Sequence, residues 1–203
     1  MRYGENHKEE THKKLVRAAC TVLREKGPDR LSVAEVMDAA GLTHGGFYAH
    51  FKSKDALLVE ALNSAFAHAG AKFRKVVDGM PARHALATYI DMYVSPVHRD
   101  NVSGGCPIVA LNSDAPRQSK KFQTAFQAGI DHIVDALAGW IAETGREDAQ
   151  TLARAAFSAM AGAVALSRAV ADKALSDELL ASARVGIRAR LGVSDAELSK
   201  AVN

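Results

Sequence analysis

Leu15, Ala18, Ala19, Val22 and Leu23 recur three and four positions apart, which predicts an amphipathic helix over residues 9–26. Lys13, Lys14, Arg17 and Arg24 fall elsewhere around it, and Gly27-Pro28 marks its end. Ser32-Val33-Ala34-Glu35 has the spacing of a capping box and opens a short helix through Val36, Met37 and Ala40. Gly41 stops that helix. Thr43 caps a very short third helix reaching Phe51, and Ser53 caps a long fourth one through Leu57, Leu58, Ala61, Leu62 and Phe66 to Asp78. Gly79-Met80-Pro81 breaks the chain. Further helices are predicted over 83–97, 107–113, 117–144, 147–172 and 177–191, with Ser194-Asp195-Ala196-Glu197 capping a final turn. Phe122, Phe126, Ile130, Ile133, Val134, Leu137, Trp140 and Ile141 form the strongest apolar stripe. Small residues crowd 153–166 and suit close helix approach, either inside the fold or against another subunit. No stretch alternates with the period of a strand, so the fold class is all-α.

A chain of 203 residues with 48% hydrophobic and 24% charged residues has the balance of a globular protein. It is long enough to build a core without a disulfide or metal staple. Two cysteines, Cys20 and Cys106, make no disulfide framework and fit a reducing compartment. Met1 to Glu10 is polar, without the apolar core of a signal peptide, and no apolar run reaches bilayer length. The expectation is a cytoplasmic protein without a membrane partner.

The placement of charge says more than its total. Residues 1–54 hold ten Lys/Arg against seven Asp/Glu, whereas residues 55–203 hold sixteen of each. A basic end on a neutral body points to an anionic partner, with nucleic acid the leading candidate and a merely solvated face the alternative. The stretch 32–54 sharpens this. Two short helices joined by a tight turn at Gly41-Leu42 are the helix-turn-helix plan, whose second helix enters the major groove. Gly45 and Gly46 each cost about 1 kcal/mol in a helix interior, a cost that close approach to a bulky partner offsets. Phe47 and Phe51, four apart, face the core. Thr43, His44 and Tyr48 then point outward with polar groups. No nucleophile motif, metal-ligand spacing, P-loop or dinucleotide fingerprint is present, so neither an enzyme nor a cofactor is expected. A helical protein-interaction module without DNA binding is the alternative.

Residues 9–68 resemble the TetR family of transcriptional regulators. The resemblance rests on the glycine-turned helix pair followed by Phe47-Tyr48-Ala49-His50-Phe51-Lys52-Ser53-Lys54-Asp55-Ala56-Leu57. It implies phosphate contacts from Tyr48, His50 and Lys54, and base or phosphate contacts from Thr43, His44 and Gly45. Ser32 and Ser53 also fit phosphate contacts, because free backbone N–H groups gather at helix starts. His44 departs from the family, where Lys or Arg is common. The implied architecture is an N-terminal three-helix DNA-binding domain, 9–68, followed by a larger helical ligand-binding and dimerization domain, 69–203. The implied function is a homodimer on a double-stranded DNA operator, acting as a repressor and released by a small-molecule effector.

Tyr89, Met92, Tyr93, Val97, Phe122, Phe126, His132, Trp140 and Met160 are candidate walls of an effector pocket, and each suits a core equally well. Cys106 stands in Gly104-Gly105-Cys106-Pro107, with Pro107 at a first helical position. A thiol at a helix start can become reactive, so Cys106 is a candidate sensor of electrophiles or oxidants, as in some TetR-like regulators. The alternative is a small buried residue closing a loop.

Overall fold

The computed structural model describes residues 2–200, and every regular element among them is a helix. In chain order the α-helices are α1 (Arg2–Arg30), α2 (Val33–Ala39), α3 (Lys54–Val77), α4 (Ala82–Tyr93), α5 (Pro96–Asp100), α6 (Pro107–Leu111), α7 (Lys120–Glu143), α8 (Ala149–Ala169), α9 (Lys173–Leu191) and α10 (Asp195–Lys200). Two 3-10 helices lie at His44–Ala49 and Ala115–Arg117. The chain forms two compact units: Met1–Ala69 with Val102–Gly129, and Gly70–Asn101 with Ile130–Asn203. The first holds thirteen Lys/Arg against ten Asp/Glu and the second thirteen of each, so the excess of +3 stays in the first.

In the first unit, α1 starts earlier than residue 9 and leaves helical geometry at Gly27 (φ 79°, ψ 167°) before one more turn. Leu15, Ala19 and Leu23 of α1 are buried, as are Leu57, Ala61 and Leu62 of α3, and the Cys20 thiol of α1 reaches the Ala61 carbonyl of α3. Ser32 Oγ accepts the Glu35 N–H at 3.1 Å, one half of the expected capping box. The other half does not form, because the Glu35 carboxylate pairs with Lys26 instead. Gly41 adopts φ 72°, and its N–H and that of Leu42 close onto the carbonyls of Asp38 and Met37 at 3.0 and 2.9 Å. A residue with a β-carbon would be strained in that left-handed turn. The next element is a 3-10 helix and not the α-helix expected. Thr43 occupies its cap position with extended backbone but makes no side-chain cap hydrogen bond. Two consecutive glycines of poor helical propensity contribute to that shortness. Ser53 caps α3 as expected, its Oγ accepting the Ala56 N–H at 3.1 Å. The segment 102–129 returns to this unit, with α6 packed on α1.

In the second unit, the single helix expected over 83–97 is two. The backbone leaves the helix at Val94, and Pro96 opens α5, whose start is capped by Ser95 Oγ accepting the His98 N–H at 3.1 Å. Proline disfavours helix in the residue before it, which explains the break. Buried Arg99 of α5 donates to Ser176 Oγ at 2.8 Å and Asp177 Oδ1 at 2.5 Å on α9, while Asp100 and Asp177 hold its guanidinium more basic than usual. Arg168 of α8 donates to the carbonyls of Arg99 and His98 at 2.9 and 3.0 Å. These bonds tie α5 to the packed pair α8 and α9. Asp172 caps α9 four residues earlier than the pattern suggested, accepting the Ala174 N–H at 2.8 Å. The expected final turn is α10, with Glu197 Oε2 accepting the Ser194 N–H at 2.9 Å. Among the described residues no helix is long and apolar enough to cross a membrane.

Candidate nucleic-acid interface

The 3-10 helix His44–Ala49 is held by two rings. Phe47 and Phe51 are buried and stacked, 5.6 Å between centroids. Between them Tyr48 is 78% exposed and touches Phe47 edge-on at 5.3 Å. A large aromatic is thus kept out of the core while its neighbours fix its direction. Ser32, Thr43 and Ser53 are exposed, and His50 and Lys54 are half-buried. The backbones of His44 and Gly45 belong to the 3-10 helix, but their side chains lie outside the described residues. Gly46 differs from expectation. A β-carbon there would meet Met37 Cε at 3.6 Å, so it turns towards α2 instead of leaving a bare surface for a partner.

His50 is the residue most shaped by its surroundings. Its Nδ1 is buried without a hydrogen-bond partner. Burial first, then the nearby charges of His12 and Lys8, push its pKa below the ordinary histidine value. Lys8, Glu9, His12, Ala49 and His50 line one hollow. His12 stacks on Phe51 at 4.6 Å and bonds Glu60 Oε1 through Nε2 at 2.5 Å. Glu9 is held below the usual carboxylate range by Lys13, 2.6 Å away. Lys8 and His12 were missed by sequence reasoning, and their i, i+4 spacing at the start of α1 is the signal that could have found them. Lys54 Nζ donates to the backbone carbonyl of Asp29 at 3.4 Å. Hydroxyls, a phenol, an imidazole and an ammonium are the donors that phosphate oxygens accept from.

The effector candidates fall into two groups. Tyr89, Tyr93 and Trp140 meet in the second unit, with Tyr89 5.9 Å from Tyr93 and 5.8 Å from Trp140. Phe73 and Phe157, which the sequence did not single out, complete the cluster at 4.8 Å from Tyr89 and 5.9 Å from Tyr93. His98 joins it, with its Nδ1–H donating to the Tyr93 carbonyl at 2.6 Å and burial pushing its pKa down. Met160 is buried in α8 and Met92 half-buried in α4. Phe122 and Phe126 are buried in the first unit, where Phe126 meets Phe66 edge-on at 6.2 Å. Val97 and His132 are exposed, and His132 Nε2 accepts from Arg74 at 3.3 Å, so neither is a wall of a buried pocket.

Cys106 is 2% exposed and sits at the cap position of the five-residue α6, with Pro107 at the first helical position. The Arg24 guanidinium feels both Cys106 and Cys20, and burial makes it less basic than usual. Cys20 is core. Its Sγ donates to the Ala61 carbonyl at 3.1 Å, and burial pushes the thiol up. Among the described residues no group of three His, Cys, Asp or Glu could hold a metal ion.

Residues 15–61 match the family of bacterial regulatory proteins described as tetR, and residues 82–178 match the C-terminal domain of LmrA/YxaF-like transcriptional regulators. An uncharacterized HTH-type transcriptional regulator of Mycobacterium tuberculosis is 27% identical over 167 residues, covering 78% of this chain and 84% of its own. The HTH-type transcriptional repressor KstR2 of Rhodococcus jostii is 31% identical over 77 residues, 37% of this chain and 38% of its own. A TetR family transcriptional regulator from Cytophaga hutchinsonii shares the fold at a TM-score of 0.78 and 21% identity, covering 90% of this chain and 96% of that one. The two family matches define a helix-turn-helix DNA-binding protein. The chain belongs to the TetR family of transcriptional regulators, a family of DNA-binding regulators and not of enzymes, whose members bind operators and dimerize.

Proposed function

We propose that this chain is a homodimeric cytoplasmic repressor that occupies a double-stranded DNA operator and lets go when its body binds a small molecule or when an electrophile modifies Cys106. The exposure of Tyr48 between buried Phe47 and Phe51 carries the reading. An aromatic ring with a hydroxyl, fixed in direction and open to solvent, suits insertion against a phosphate rail. In this reading Thr43, His44 and Gly45 meet base edges or phosphates. Tyr48, His50 and Lys54 contact phosphates, and the starts of α2 and α3 at Ser32 and Ser53 offer backbone N–H groups to others. Residues 9–68 read DNA, and residues 69–203 bind effector and partner subunit. Two reading heads about 34–36 Å apart enter successive major grooves on one face of the duplex.

The cluster of Tyr89, Tyr93 and Trp140, with Met92 and Met160 in the same unit, supports an apolar or mixed effector. Phe122 and Phe126 would act in the first unit. An effector shifts the equilibrium only as far as it prefers the released form. The similarity to KstR2, named a repressor, supports repression over activation.

The test is selection of bound fragments from genomic DNA, followed by titration of the selected duplex. Wild-type protein is expected to enrich discrete sites. Tyr48→Ala should lose tenfold or more in affinity, about 1.4 kcal/mol, with unchanged thermal stability because the side chain is exposed. Absence of any enriched site, or full affinity in Tyr48→Ala, counts against the reading.

A further inference from the structure

We infer that the basic run Arg117-Gln118-Ser119-Lys120-Lys121, at the head of α7, is a further contact for backbone phosphates of the duplex. The inference rests on the reading of the chain as a DNA-binding regulator. The run belongs to the first compact unit although it stands far from the helix-turn-helix in sequence. One residue joins the two. Gln118 Nε2 donates to Asp29 Oδ1 at 2.9 Å, and Lys54 Nζ donates to the backbone carbonyl of the same Asp29 at 3.4 Å. Asp29 stands three residues before Ser32, where α2 is capped. Gln118 of the run and Lys54, already assigned to phosphate, thus share Asp29 as a hydrogen-bond partner.

Its charge is unbalanced. Three cations occur in five residues without a carboxylate, and Arg117, Lys120 and Lys121 are all exposed. Arg117 is paired with Asp114 at 2.7 Å, whereas Lys120 Nζ bonds the neutral amide of Gln123 at 3.2 Å. The turn beneath them is fixed, because Gln123 Nε2 donates to the carbonyls of Pro116 and Gln118 at 3.2 and 2.9 Å. Placement also runs against stability. No acidic residue stands in the first turn of α7, and lysines are disfavoured at the positive end of a helix. An anionic partner turns that repulsion into attraction. Exposed cations in a row suit a long polyanion beside Lys54 better than a small enclosed anion.

The experiment compares full-length wild type with Lys120→Gln/Lys121→Gln on a duplex selected from genomic DNA by the wild-type protein. Binding is followed by fluorescence anisotropy between roughly 50 and 200 mM salt. Each lost phosphate contact should flatten the plot of log affinity against log salt by about 0.9, so two lysines on each of two subunits give a change of about 3.6. Affinity at low salt should fall at least tenfold. The melting temperature should hold or rise, because two charges leave the positive end of a helix. A matched control, Lys72→Gln/Lys75→Gln, removes the same charge from exposed positions of α3 in the second unit and should keep the wild-type slope. A wild-type slope in the 120/121 variant, or an equal change in the control, overturns the inference alone. A wild-type protein that binds no duplex overturns it together with the reading beneath it.

Discussion

Phe66 of α3 lies flat against the backbone of α7 at Gly129. A β-carbon at 129 would stand 2.2–2.5 Å from the Cζ, Cε2 and Cε1 atoms of the ring, far inside contact distance. Gly129 is thus a seat for Phe66 and not a tolerated gap in helix propensity. The ring also meets Phe126 edge-on, so it cannot swing away without losing that contact. Gly129→Ala should therefore destabilise the protein by about 1–3 kcal/mol through overpacking, even though alanine is the better helix former. The same change at Gly139, on the same helix with nothing within 4 Å of its β-carbon position, should stabilise by about 1 kcal/mol. Urea denaturation of both variants separates the two effects. Adding Phe66→Leu should recover at least about 1 kcal/mol of the Gly129→Ala loss, the coupling expected of residues in contact. Strictly additive losses would show that the ring moves aside freely.

Among the elements, the ones set by local chemistry were legible in the sequence. Gly41 at positive φ, Ser32 and Ser53 as caps, and Phe47 and Phe51 turned inward all follow from rules that act within four residues. What escaped depends on competition or on distance along the chain. The carboxylate of Glu35 had two partners within reach, and Lys26 won it from the capping box. Thr43 to Phe51 was too short to declare between α and 3-10 geometry. The break at Val94 needed Pro96 to be weighed against a continuous apolar pattern. The return of 102–129 to the first unit has no local mark at all, and it places α6 against α1. That packing gives the Cys106 proposal its element-level form. The thiol is buried at the start of α6, the helix that packs on α1. An adduct too large for that site would push α6 away from α1, the helix that leads into Ser32. Cys106→Ser should keep wild-type operator affinity and lose release by an alkylating reagent such as N-ethylmaleimide. Equal release from both proteins in a gel-shift titration would remove Cys106 as the sensor.

At the scale of the whole molecule, the proposed operator binding needs two reading heads, and the proposal places their join in residues 69–203. Leu166 of α8 and Leu175 and Val185 of α9 are large apolar side chains left exposed on a helix pair that is otherwise packed. Scattered exposed apolar residues are ordinary on a protein surface, so exposure alone decides nothing. Charge placed on them decides more. Leu166→Asp/Val185→Asp should leave the helical content intact, because neither side chain is buried in the protomer. If these residues lie between subunits, two desolvated carboxylates per protomer cannot be paired there, and the dimer should dissociate. Sedimentation velocity would then report a monomer at concentrations where wild type is a dimer. The consequence for DNA is separable from the loss of mass. A dimer with two heads neutralises twice the phosphates of one head, and the dependence of log affinity on log salt scales with that number. The monomeric variant should therefore show about half the wild-type slope on the same duplex, along with an affinity lower by roughly two orders of magnitude or more as the second contact ceases to be intramolecular. A variant that still sediments as a dimer would move the join elsewhere on the body, and a monomer with the full wild-type slope would mean that one head alone makes all the phosphate contacts.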